Sequence, residues 1–143
     1  MFIIQDTQSL NKLCFSDLKL IPHTERGYAV TVSAEVPVGI ICMLLEDYEP
    51  SRLEKFFAIL AEDWESNPSF ENYSSTFTIK ATADKLGHVV LRYEMGSEKT
   101  DGWCFSSFIT LEQGSLVELA SKAASFFGPP PETMSYHVVS TGT

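Results

Sequence analysis

Basic residues are scarce in this chain: ten Lys and Arg stand against nineteen Asp and Glu, for a formal net charge of -9. A surface of that sign repels a phosphate backbone and has no excess cations to displace its counterions, so nucleic acid is not an expected partner. Cysteine is sparse too. Cys14, Cys42 and Cys104 are odd in number and far apart, which makes neither a disulfide framework nor a paired zinc site. All three read as reduced, inert thiols inside apolar strands. Long apolar runs are missing: the longest, Val38 to Leu45, is eight residues and contains a Gly, far below a membrane span. The opening MFIIQDTQSLNK has a short apolar run and an acid at Asp6, without the basic and long apolar regions of a signal peptide. A cytoplasmic protein with no membrane partner is expected. There is no GxGxxG and no GxxxxGK loop, and none of His23, His88 and His137 has a second ligand at i+2 to i+4, so neither cofactor nor metal is expected.

What the chain does have is large apolar material. Apolar residues make up 44% of its 143 residues, with ten Phe, five Tyr and two Trp, enough for one packed domain. In PSRLEKFFAILAEDW, Leu53, Phe56, Phe57, Leu60 and Trp64 recur at helical spacing, predicting an amphipathic helix over about 51–65. Ser51 with Glu54 has the form of a capping box. A second helix is predicted over 115–127, with Leu116, Leu119, Ala120, Ala123 and Phe127 as its stripe and Gly128 before three prolines as its stop. Ser115 with Glu118 repeats the capping form.

The rest reads as sheet. Phe2 to Ile4 reads as the start of a short strand, and Leu13 to Ile21 alternates with a slip near Ser16 and Asp17, the sign of a bulge. Tyr28 to Glu35 alternates cleanly as a half-buried strand. Val38 to Glu46, VGIICMLLE, is apolar at both parities, as in a central strand covered on both sides or a strand paired at an oligomer interface. Thr76 to Ala83 and Val89 to Met95 form a hairpin around Gly87, and Trp103 to Leu111 extends it to a meander. The expected fold is α+β: an antiparallel sheet of about six or seven strands with both helices packed on one face. Residues 1–128 form the domain and 129–143 a Pro-rich, flexible tail, in which Tyr136 to Val139 has the pattern of a short edge strand.

Carboxylates cluster at both ends of the first helix: Glu46, Asp47 and Glu49, then Glu62, Asp63 and Glu65. Paired catalytic carboxyls need a cleft that separates their pKa values, and a helix start and a helix outer face supply none. These acids are read as solvated, or as a contact surface for a basic partner in which Asp47, Glu49, Glu62 and Glu65 take part. In a second reading, His88 and Arg92, at strand spacing on one face, line a pocket between helix and sheet in a small-molecule-binding domain or enzyme. A third is a structural homodimer built on an exposed sheet face. No catalytic residue is assigned.

From Tyr48 to Phe127 the order of parts carries a likeness. YEPSRLEKFFAILAEDW is followed by an alternating strand, then the turn Asp84-Lys85-Leu86-Gly87-His88-Val89 and its return strand. A run from Phe108 to Leu116, with Glu112-Gln113 in an acidic turn, then leads into the last helix. In this the chain resembles the small bacterial immunity proteins of the WapI type, and a related family of short bacterial proteins of unknown function. The resemblance covers a little over half the chain. It implies a non-catalytic cytoplasmic protein that neutralises a toxin domain by occlusion, and the net charge suits a basic toxin.

Overall fold

A computed structural model describes residues 1–24 and 27–128. The tail 129–143, with its expected flexibility and edge strand, lies outside the described residues. Eight strands and two helices follow in the order β1 (Phe2–Gln5), β2 (Lys12–Leu20), β3 (Tyr28–Val36), β4 (Gly39–Asp47), α1 (Ser51–Asp63), β5 (Ser69–Glu71), β6 (Phe77–Ala83), β7 (Val89–Ser97), β8 (Trp103–Leu111) and α2 (Leu116–Phe127). The strands form two antiparallel meanders of four, ordered β1-β2-β3-β4 and β5-β6-β7-β8, in place of one sheet of six or seven. The strand that sequence patterning missed is β5, whose three residues are too few to display an alternation and sit among Asn, Ser and Pro.

Inward positions of both sheets and the stripes of both helices meet in one buried cluster. At its centre, Phe2 lies edge-on to Phe57 at 5.1 Å and to Phe127 at 5.8 Å, while Phe15 meets Phe77 at 6.1 Å and Phe127 at 5.6 Å. Rings from both sheets and both helices therefore interlock, and removing one such ring costs about 3–5 kcal/mol. On α1, Leu53, Phe56, Phe57 and Leu60 are buried as their spacing predicts; Trp64 falls in a 3-10 turn, Trp64–Ser66, and is half-buried. On α2, Leu116, Leu119, Ala123 and Phe127 are buried, after a 3-10 turn at Gln113–Ser115.

Neither capping box forms. Pro50 occupies the N-cap of α1 in helical conformation, and the first turn closes on backbone bonds to Glu49 and Pro50. A proline ring preset near the helical φ makes a side-chain cap dispensable. The bulge expected in β2 is present: Asp17 takes a positive φ and the register with β3 shifts between Ser16 and Lys19. Gly87 makes the β6–β7 turn at φ +87°.

The two sheets touch at both margins without sharing a ladder. Just beyond β1, Thr7 donates from its backbone N and its Oγ1 to the Thr110 carbonyl of β8, each at 3.0 Å. At the other margin, Asn72 after β5 reaches the end of β4.

Candidate functional site

The expectation for VGIICMLLE as a covered central strand does not hold: β4 is the last strand of its sheet. Ile41, Met43 and Leu45 turn toward the core, while Ile40, Cys42 and Leu44 face out, opposite Glu35, Ser33 and Thr31 of β3. Ile40 is 65% exposed and Leu44 59%. A nine-residue edge strand with apolar outward residues is a surface that proteins ordinarily avoid leaving uncovered.

The end of β4 is held with care. The Asp47 carboxylate is buried, takes the Arg52 guanidinium on one oxygen and accepts the Tyr73 N–H at 3.0 Å on the other. Arg52 also donates to the Glu71 carbonyl at 3.0 Å and lies over the rings of Tyr48 (6.0 Å) and Phe70 (5.2 Å). Beside it the buried Asn72 uses both ends of its amide. Its Oδ1 accepts from the N–H groups of Thr76 and Phe77, each at 2.9 Å, and its Nδ2 donates to the Glu46 carbonyl at 3.0 Å. This polar knot fixes the chain on either side of it, and so fixes Tyr48 against Tyr73, ring to ring at 5.1 Å.

Two shallow hollows open here and share Glu46 and Tyr73. One, of about 460 Å³, runs between Met43 and Leu44 of β4 and, across from them, Thr100 and Asp101 of the β7–β8 turn and Trp103 at the start of β8. The other, of about 500 Å³, is lined by Tyr48 and Glu49 and by Ile21, Thr24 and Gly27. Trp103 is placed by a missing side chain: Gly96 has φ +84°, and a Cβ there would stand 2.7 Å from the Trp103 carbonyl oxygen and 2.8 Å from its ring. Partial desolvation, then the Glu46 and Asp47 carboxylates, push the Tyr73 phenol above its ordinary pKa, so it stays a neutral donor.

The residues singled out in the sequence are scattered. Asp47 is at this site but buried beneath Arg52, so its carboxylate is not a contact surface: a charge taken out of water must be paired, and here it is. Glu49 is half-buried and lines the second hollow. Glu62 and Glu65 are exposed at the far end of α1, about 18 Å away along its axis. The helix–sheet space is occupied by the aromatic core, so His88 and Arg92 line no pocket there. His88 instead packs its ring between Asp84 (2.9 Å) and Glu112 (3.3 Å), tying the β6–β7 turn to the approach of α2. Arg92 points out from β7 over a separate hollow. Cys14 is buried, and desolvation followed by Glu35 raises its thiol pKa, but Cys42 and Cys104 are exposed, because each falls on an outward strand position.

Tyr48, Tyr73 and Trp103 were not singled out, since isolated aromatics in a turn, a loop and a strand start carry no period. The available signal was the double-parity apolar pattern of β4, one reading of which was an interface. Among the described residues no group of three His, Cys, Asp or Glu is placed to hold a metal, and no helix is long and apolar enough to cross a membrane.

No curated protein matches the sequence. A family of unknown function matches residues 3–130, a span that takes in both helices and both sheets, and the chain belongs to that family, DUF6228.

Proposed function

We propose that this is a non-catalytic binding protein that grips a basic protein partner along the free edge of β4, and, more finely, an immunity-like protein that occludes a toxin. The observation that carries the reading is the exposed set Leu44, Tyr48, Tyr73 and Trp103, flanked by Glu46, Glu49 and Asp101. Tyr and Trp offer large contact area for little side-chain entropy and dominate binding hot spots. The acids around them, with Glu62 and Glu65 farther off, supply an acidic field that speeds encounter with a cationic surface. The patch would form the centre of an interface of roughly 1,600 Å² in total.

The test begins with capture of a partner at low salt, followed by kinetics on the purified pair. Trp103→Ala with Tyr73→Ala is expected to raise Kd by at least about 30-fold through the off-rate. Reversing Glu62 and Glu65 to Lys is expected to slow association and leave the off-rate nearly unchanged. For the finer reading, a stoichiometric amount of the protein abolishes the partner's toxic activity. A captured partner indifferent to Trp103 and Tyr73 overturns the assignment of this edge, and one that keeps its activity in the complex overturns the immunity reading.

A further inference from the structure

The outward face of the second sheet carries a different arrangement, remote in character from the β4 edge. Register places Ser69, Lys80, Arg92 and Phe108 side by side in one transverse row across β5, β6, β7 and β8. The neighbouring row, two residues along each strand, is Glu71, Thr78, Glu94 and Ser106. Both rows line one hollow of about 680 Å³.

Lys80 and Arg92 are direct cross-strand partners, and like charges so placed destabilise a sheet. Among the described residues neither forms an ion pair, although the chain has only ten basic residues and nineteen acids to offer them. The Arg92 guanidinium instead lies over the half-exposed Phe108 ring at 5.7 Å. A carboxylate seated between Lys80 and Arg92 relieves their repulsion and accepts from both, with the planar guanidinium favouring a two-oxygen anion. Phe108 then offers an apolar flank to whatever carries it. Glu71 and Glu94 stand about 7 Å along the strands, the rise of two residues, where they repel a polyanion and attract a cation.

The geometry points to a site for a small zwitterion on this face: a carboxylate on Lys80 and Arg92, a flat apolar body beside Phe108, and an ammonium group at Glu94 and Glu71. The acidic row discriminates against nucleic acid and other polyanions, which bring no cationic group to Glu71 and Glu94.

The probe is 4-(aminomethyl)benzoate, whose charges are spread across a benzene ring, compared with benzoate and benzylamine by amide NMR titration of the whole chain. The expected result is a saturable shift of amides around 78–80, 92–94 and 106–108, with a Kd on the order of 1 mM or below. Benzoate and benzylamine bind at least ~10-fold more weakly, and Arg92→Gln or Lys80→Gln each weakens the zwitterion by a similar factor. Both side chains are exposed, and unchanged shifts in the first sheet establish that the variants are folded. No saturable shift on this face, equal binding of benzoate, or a folded Arg92→Gln variant that binds as before overturns the proposal.

Discussion

The outward faces of the two sheets differ although their inward faces are interchangeable. Toward the core, Val30, Val32 and Leu45 of the first sheet do the same work as Ile79, Leu91 and Ile109 of the second. Outward, the first sheet ends in Ile40 and Leu44 beside polar β3 residues on an unpaired edge, whereas the second sets cations, acids and hydroxyls in register across four strands. One face gains by losing water and the other by keeping oriented charge. The buried positions hold the packing and leave the outer ones free to differ, and the two recognition surfaces proposed above rest on that difference.

The comparison is broken most completely where the sheets are stitched together. Asn72→Ala leaves the Thr76 and Phe77 N–H groups and the Glu46 carbonyl without their partner, and is expected to lower unfolding free energy by about 3 kcal/mol in urea titration. A loss near zero would show that the Asn72 bonds add nothing to the aromatic core and the Thr7–Thr110 and Asp47–Tyr73 contacts. Gly96→Ala is next, at about 2 kcal/mol, because a Cβ meets Trp103 and the backbone is left-handed. Its tryptophan emission is expected to shift, and partner binding at the β4 edge to fall, while probe binding on the second sheet's outer face is retained. Tyr28→Phe is expected to raise stability by about 1 kcal/mol, since the buried Tyr28 hydroxyl has no hydrogen-bond partner among the described residues. Smaller still, Lys80→Thr relieves the cross-strand repulsion and is expected to gain about 0.5 kcal/mol while weakening zwitterion binding, which separates the two roles of that side chain.

The least effect is a dependence on pH near neutrality from the second sheet's hairpin. The hydrogen bond to Asp84, opposed in part by desolvation and helped by Glu112, raises the His88 pKa above its ordinary 6.5. A raised folded pKa means the contribution is whole below about 6.5 and lost as pH climbs through the folded value. At Asp84, desolvation pushes the carboxyl up and the hydrogen bonds from the His88 ring and backbone and from Leu86 outweigh it, leaving the pKa below 3.8. That contribution is present above about 3.8 and lost as pH falls through the lowered value. The melting temperature is therefore expected to decline slightly on going from pH 6 toward 9 in the wild type, and His88→Gln to remove that decline. An equal decline in the variant places the titrating group elsewhere.

Much of this architecture was legible in residue spacing. The apolar stripes Leu53–Leu60 and Leu116–Phe127 mark helices because 3.6-residue periodicity over three turns has no competing explanation, and the strand alternation from Tyr28 and from Val89 is equally plain. The division into two sheets was not, since pairing depends on which strand edges meet after α1 intervenes, and local pattern is silent on that. Three-residue β5 fell below the length at which alternation exists. Asp47 misled for a related reason: an acid before a helix reads as solvent-exposed, and only the fold brings Arg52 and the Tyr73 N–H over it. Of the outer-face features, Arg92 was picked out from the sequence, but with His88, four residues and about 13 Å along the extended chain from it. Its cross-strand neighbour Lys80 was invisible until the register was known.

The bond from Thr7 to Thr110, with Phe2 resting on Phe127, also governs when this molecule can exist during synthesis. The first strand pairs locally with β2, but Phe2 on it rests on Phe127 and Thr7 just beyond it bonds to Thr110, more than a hundred positions downstream, so the core closes only when α2 has left the ribosome. Until then Phe2 and Phe15, on β1 and β2 across the sheet from β4, lack their contact with Phe127. A nascent chain stalled before α2 leaves those rings uncovered and is expected to bind chaperones until the last helix closes over them.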